Sequence, residues 1–184
     1  MQPDPAGRAR KVRLLITDVD GVLTDGRIFL GPDGPEGAFF CVQDGTAVKY
    51  LRRVGIETAF LSGRRSTAVA ARARMLGIRL IAQGARVKME AYRTLRRRAG
   101  VTDEQIAYVG DDLPDVPVMR QVGLAVAVAN AVPEVRQVAH VVTERCGGDG
   151  ALREVAEFVL KSQDLWRSIL ARYGPESPES GQES

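Results

Sequence analysis

The sequence predicts an α/β fold, a single Rossmann-like, doubly wound domain with a central parallel sheet and an inserted β-hairpin, and no cap domain. Three observations predict it. Six short, nearly continuous apolar runs recur along the chain, as strands buried on both faces require. Stretches of helical period lie between them, and parallel strands need such crossovers. Residues 26–44 break the alternation with two apolar runs around a Pro/Gly/Asp-rich turn, which reads as a hairpin.

Residues 12–17 (VRLLIT) form the first expected strand, followed by 57–61, 79–82, 106–109, 124–128 and 140–142. Ala47, Val48, Leu51 and Val54 make one apolar helical stripe, stopped by Gly55; Val69, Ala73 and Leu76 make another, stopped by Gly77. Residues 88–99 set Met89, Tyr92 and Leu95 on one face and arginines on the other, ending at Gly100. Thr102 with Gln105 reads as a capping box. A last helical pattern carries Leu152, Val155, Phe158 and Val159 and runs on towards Leu165, Ile169 and Leu170. Residues 1–10 are expected to be a flexible arm, 11–173 the domain, and 174–184, rich in Gly, Pro, Ser and Glu, a disordered tail.

With 184 residues, 45% hydrophobic and 27% charged, the chain suits one packed core rather than a disordered or collagenous chain. The longest apolar candidate, residues 122–132, is broken by Asn130, so no membrane span is expected. The N-terminus does not read as a secretory signal, and Cys41 and Cys146 make neither a disulfide scaffold nor a zinc spacing, so the cytoplasm is the expected location. Residues 52–98 hold thirteen Lys and Arg against two Glu. Without aromatic interleaving, this basic stretch reads as solvated helix surface or as attraction for a small anionic substrate rather than as a nucleic-acid site.

The chemistry gathers where strands end. The first strand runs into DVDGVLTDG, and Asp18 and Asp20, two apart in extended backbone, face one side at the sheet's carboxyl edge, where open parallel sheets bind ligands. A turn-forming role is the simpler reading of either residue alone. GDDLPD places Asp111, Asp112 and Asp115 at another strand end, where Asp115 alone also reads as a helix N-cap. Carboxylates crowded in this way repel one another unless a cation joins them, and an all-oxygen donor set favours Mg²⁺. LSGR offers Ser62, otherwise a helix cap, and Arg64, which can grip an anion. Lys88 stands at a helix start in a chain whose basic residues are mostly Arg, which suits a compact point charge. His140, the sole histidine, reads as packing, and Cys41 as an apolar filler.

The order DxDGxxTDG, SGR, Lys, GDDxxD resembles the haloacid dehalogenase-like superfamily of phosphohydrolases from Arg10 to about Tyr173. That resemblance implies Asp18 as a nucleophile forming an aspartyl-phosphate and Asp20 as general acid and base. It implies Ser62 and Lys88 as holders of the phosphoryl oxygens. It implies Mg²⁺ between the side chain of Asp18, the backbone carbonyl of Asp20 and the side chain of Asp111, with Asp112 or Asp115 acting at second hand.

DVDGVLTDG, a hairpin in place of a cap, FFCVQDGTAVKYL, LSGR, GDDLPDVPVM and CGGDGALREV are similar to the branch of 3-deoxy-D-manno-octulosonate 8-phosphate phosphatases. This implies a small phosphorylated sugar acid as substrate and a homotetramer in which neighbouring hairpins and tails cover the sites. Asp44 and Lys49 would line the substrate mouth. Thr46, where an aromatic is frequent, and Asp149, where arginine is common, depart from the branch. Related phosphatases of nine-carbon sialic-type sugar phosphates share most of these motifs. A non-catalytic phosphoacceptor module, like a response-regulator receiver, is a reading from another class, but it orders its acids differently along the chain.

Overall fold

The computed structural model describes residues 4–30 and 36–174. Its elements run α1 (Pro5–Ala9), β1 (Leu14–Thr17), β2 (Phe29–Leu30), β3 (Glu36–Gly37), α2 (Val42–Arg53), β4 (Glu57–Leu61), α3 (Thr67–Leu76), β5 (Leu80–Ala82), α4 (Lys88–Ala99), β6 (Ile106–Gly110), α5 (Val116–Met119), β7 (Leu124–Ala127), α6 (Pro133–Val138), β8 (Val141–Val142), α7 (Ala151–Ser162) and α8 (Trp166–Leu170). All six expected strands form one parallel sheet in the order β5-β4-β1-β6-β7-β8. The chain starts in the middle, winds out to β5, then returns to the other side of β1. Three loops that follow adjacent strands, β4, β1 and β6, therefore meet at one point on the carboxyl edge.

The apolar runs sit in the interior. Leu14, Leu15 and Ile16 of β1 and Ile106, Ala107, Tyr108 and Val109 of β6 are fully buried. Each large apolar side chain placed there contributes about 1.5–3 kcal/mol of burial free energy. α2 packs against α7 with α1 beside them, and α4 packs against α5 and β5. Left-handed Gly77 and Gly100 close α3 and α4 where the stripes were expected to stop. The Thr102–Gln105 capping box is present.

Four local expectations change. Pro5–Ala9, read as part of a flexible arm, is helical: Ala9 is fully buried, Arg8 donates to the Gly123 carbonyl at 2.6 Å, and Gln163 donates to the carbonyls of Ala9 and Val12. Long-range partners order this segment where local composition could not. The hairpin exists as β2 paired antiparallel with β3, but it does not reach Asp44, because α2 begins at Val42 and buries Asp44 in its first turn. The last helical pattern is two helices, separated where Asp164 adopts φ 60° and the Leu165 N–H turns back to the Leu160 carbonyl. Ser62 is not a helix cap; Ser66 caps α3. The expected tail lies outside the described residues except for Gly174, as do residues 1–3 of the arm. Among the described residues, no helix is long and apolar enough to cross a membrane.

Candidate active site

Beyond its last strand residue, β1 keeps the sheet's direction for one more bond, the Asp18 N–H donating to the Val109 carbonyl at 2.9 Å. This holds Asp18 level with the end of β6. The chain then turns tightly: the carbonyl of Val19 accepts the N–H groups of Val22, Leu23 and Thr24, and the Thr24 hydroxyl accepts the Gly21 N–H. Gly21 has φ 91°, and a Cβ there would lie 2.1 Å from Asp111 Oδ2, so only glycine lets the two loops close on each other.

Lys88, at the start of α4, brings the fourth motif into the same place. Its Nζ lies 3.0 Å from Asp18 Oδ1 and 2.6 Å from Asp115 Oδ1, with the lysine side chain 5% exposed. Asp115 is fully enclosed, and its carboxylate is saturated. Oδ1 also accepts the Tyr108 hydroxyl, and Oδ2 accepts the backbone N–H groups of Asp111 (3.1 Å) and Asp112 (3.3 Å). Asp115 therefore braces Lys88 and the loop carrying Asp111. It stands at the N-cap position of α5 but makes no side-chain cap bond. Exposed Asp112 caps the short 3₁₀ turn that follows it.

On the opposite side, the Ser62 hydroxyl lies 3.4 Å from Asp20 Oδ2 and Arg64 Nη1 lies 3.4 Å from Asp20 Oδ1. The Ser62 N–H donates to the Ala82 carbonyl at 2.9 Å, which fixes this loop to the sheet. Asp18, Asp20, Ser62, Arg64, Lys88, Asp111 and Asp115 thus occupy one neighbourhood. Asp44 is buried against the start of α7, and Lys49 is exposed on α2.

The electrostatics of the cluster call for a cation. Burial, opposed by Lys88 and reinforced by Asp115, pushes the Asp18 carboxyl up to about 6. Burial together with Asp18 and Asp115 pushes Asp111 up to about 8. Burial alone would depress Lys88, but the two carboxylates outweigh it and raise its pKa. Tyr108 is driven far above its ordinary range by burial and by Asp115, so it stays a donor. Carboxylate oxygens of Asp18, Asp111 and Asp115 lie within 4.8 Å of one another, and Asp111 Oδ1 is buried without a partner. With Asp115 saturated, Asp18 and Asp111 are the carboxylates able to bind an ion, and an oxygen-only set without Cys or His fits a hard divalent cation.

Sequence reasoning missed two contributors. Tyr108 is a polar-tipped aromatic in an otherwise apolar strand, a legible signal. Asn130, which accepts the Gly147 N–H through Oδ1 at 2.8 Å, gave none. His140 is a packing residue, its Nδ1 accepting the Ala125 N–H at 2.8 Å.

Comparison with known proteins agrees with this geometry. Residues 78–155 match the family model described as haloacid dehalogenase-like hydrolase. A 3-deoxy-D-manno-octulosonate 8-phosphate phosphatase of Yersinia pestis is 47% identical over 161 residues, covering 88% of this chain and 86% of that protein. The crystal structure of the Y. pestis phosphatase superposes with a TM-score of 0.87 at 45% identity, covering 89% of this chain and 88% of that one. The Moraxella catarrhalis phosphatase, solved in complex with a magnesium ion, a phosphate ion and KDO, gives 0.89 at 38% identity, covering 92% and 97%. The chain belongs to the haloacid dehalogenase-like hydrolases and, within them, to the family of the 3-deoxy-D-manno-octulosonate 8-phosphate phosphatases.

Proposed function

We propose that this protein hydrolyses 3-deoxy-D-manno-octulosonate 8-phosphate to the free sugar acid and phosphate, with Mg²⁺ as cofactor and an aspartyl-phosphate intermediate. One observation carries the reading: a buried lysine, Lys88, holds the oxygen of a strand-end carboxylate, Asp18, beside a second carboxylate, Asp111, that lacks any partner for one oxygen. Lys88 Nζ, 3.0 Å from Asp18 Oδ1, favours the carboxylate form, whose oxygen attacks phosphorus. As the new O–P bond forms, the bond to the sugar's C8 oxygen breaks, and Asp20 gives that oxygen a proton. Asp20 then takes a proton from water, whose oxygen attacks the aspartyl-phosphate; phosphate leaves and Asp18 is regenerated. Ser62 and Lys88 hold the phosphoryl oxygens, with Lys88 neutralising charge as it develops. Asp18, Asp111 and the backbone carbonyl of Asp20 would hold Mg²⁺, which would supply positive charge that shields the nucleophile from the phosphate.

Arg64, at the rim beside Asp20, suits the sugar carboxylate. Ile28, Phe29, Leu30, Phe39 and Val42 are exposed around the hairpin and the start of α2, which supports a homotetramer in which neighbouring copies cover this apolar surface. A phosphorylated sugar acid carries charges that a bilayer excludes, so enzyme and substrate would share one compartment, and the cytoplasm is the one proposed. The test is phosphate release from eight- and nine-carbon sugar-acid phosphates and from simple esters. The eight-carbon substrate is expected to give the highest kcat/KM by at least roughly tenfold, a gap of about 1.4 kcal/mol in transition-state binding. Preference for a nine-carbon substrate would reassign the substrate while leaving the chemistry in place.

A further inference from the structure

A buried carboxylate outside the acidic cluster is connected to it through backbone. Asp44, in the first turn of α2, is 2% exposed, and its Oδ1 accepts the Arg153 N–H at 2.8 Å. Burial raises the pKa of this carboxyl, and its Oδ2 is buried without a hydrogen-bond partner. That donor belongs to the first turn of α7, whose N-cap residue, Gly150, has no side chain to offer it. Asp44 thus supplies from another helix what a local N-cap supplies elsewhere.

The loop that leads into α7 leans on the catalytic turn. Gly148 N–H donates to the Val22 carbonyl at 2.9 Å, and Gly147 N–H to Asn130 Oδ1 at 2.8 Å. A Cβ at Gly147 would lie 1.7 Å from the Gly21 carbonyl oxygen, and Gly21 in turn sits against Asp111. Contacts therefore run from Asp44 through the first turn of α7 and residues 147–150 to residues 18–25 and the Asp111 loop.

We propose that Asp44 is a positioning residue for phosphoryl transfer: by capping α7 it fixes the glycine loop, and that loop holds the turn carrying Asp18 and Asp20 against Asp111. Asp44 touches neither substrate nor metal. The proposal rests on the phosphatase reading above but not on which sugar is the substrate.

The test uses the full-length chain with Mg²⁺, assayed on 3-deoxy-D-manno-octulosonate 8-phosphate and on p-nitrophenyl phosphate, which has no sugar. Asp44→Ala is expected to lower kcat on both by a similar factor, about 10- to 100-fold, since displacement by about 1 Å costs that much. Amide hydrogen exchange should quicken at 147–150 and at 20–25. Asp44→Asn keeps an acceptor oxygen and should restore most of kcat on both compounds. Gly147→Ala, at the far end of the contacts, should repeat the loss. A rise in KM confined to the sugar, with p-nitrophenyl phosphate turnover at the wild-type level, would make Asp44 a substrate contact and overturn the proposal. So would unchanged exchange at 20–25. If Asp44→Ala does not fold, an Asp44→Asn enzyme as impaired as Gly147→Ala also overturns it. Wild-type turnover of p-nitrophenyl phosphate without turnover of the sugar would overturn the substrate assignment alone, so the two failures are distinguishable.

Discussion

Lys88 and Asp115 form a buried ion pair, Nζ to Oδ1 at 2.6 Å, with the two side chains 5% and 0% exposed. Its meaning depends on what else each partner holds. Asp115 also binds Tyr108 and the Asp111 loop, and Lys88 also binds Asp18, so the pair joins α4 to the ends of β1 and β6.

Removing the cation should damage structure and turnover together. Lys88→Met leaves Asp18 and Asp115 buried without their counter-ion, and losing one member of a buried pair costs about 3–5 kcal/mol. Calorimetry should show a lower Tm, and phosphate release should be lost. A Tm equal to wild type would show that these carboxylates do not depend on Lys88.

Asp18→Asn separates chemistry from stability. Turnover should fall by roughly 10³-fold or more, since an amide cannot form the acyl-phosphate. Fewer crowded carboxylates remain, so metal-free Tm should hold or rise. Wild-type rates in this variant would remove Asp18 as the nucleophile.

Stability of the metal-free protein should fall as pH rises from about 4 to about 8. Asp18 and Asp111 titrate near 6 and 8 in the folded chain, above the ordinary 3.8, so the folded state binds protons more tightly than the unfolded one. Their contribution is complete below pH 4 and is lost as each folded pKa is passed. Mg²⁺ competes with those same protons, so its stabilising effect should grow across this window. Melting curves in chelator and in Mg²⁺ check both trends; a Mg²⁺ shift that shrinks with pH would contradict the assignment of these carboxylates to the metal. Activity should cease in chelator and return with Mg²⁺.

The exposed hairpin should govern assembly. Phe29→Ser with Leu30→Ser removes apolar surface from β2 without touching the sheet, so light scattering should report a smaller mass than wild type, and turnover should fall as the site loses its cover. An active wild-type monomer would contradict the proposed tetramer.

Legibility followed locality. Strands β1, β4, β6 and β7 were readable because burial on both faces writes an unbroken apolar run. Asp18, Asp20 and Asp111 were readable because they stand where such runs stop. Lys88 was a weaker signal, since an ordinary exposed helix lysine has the same neighbours in sequence. The partner of Asp44, the Arg153 N–H, was not legible: it lies over a hundred positions away, and only folding brings the two together.

The sequence by itself determined the alternation of strands and helices and the acids at the strand ends, because each is recorded in nearest neighbours and short periods. The tertiary structure decided which acid keeps an unpartnered oxygen and which is spent on bracing, that residues 5–9 fold back as a helix, and that Asp44 accepts a bond from α7. These depend on hydrogen bonds and charges between segments distant in the chain, whose strengths are set by the burial they share.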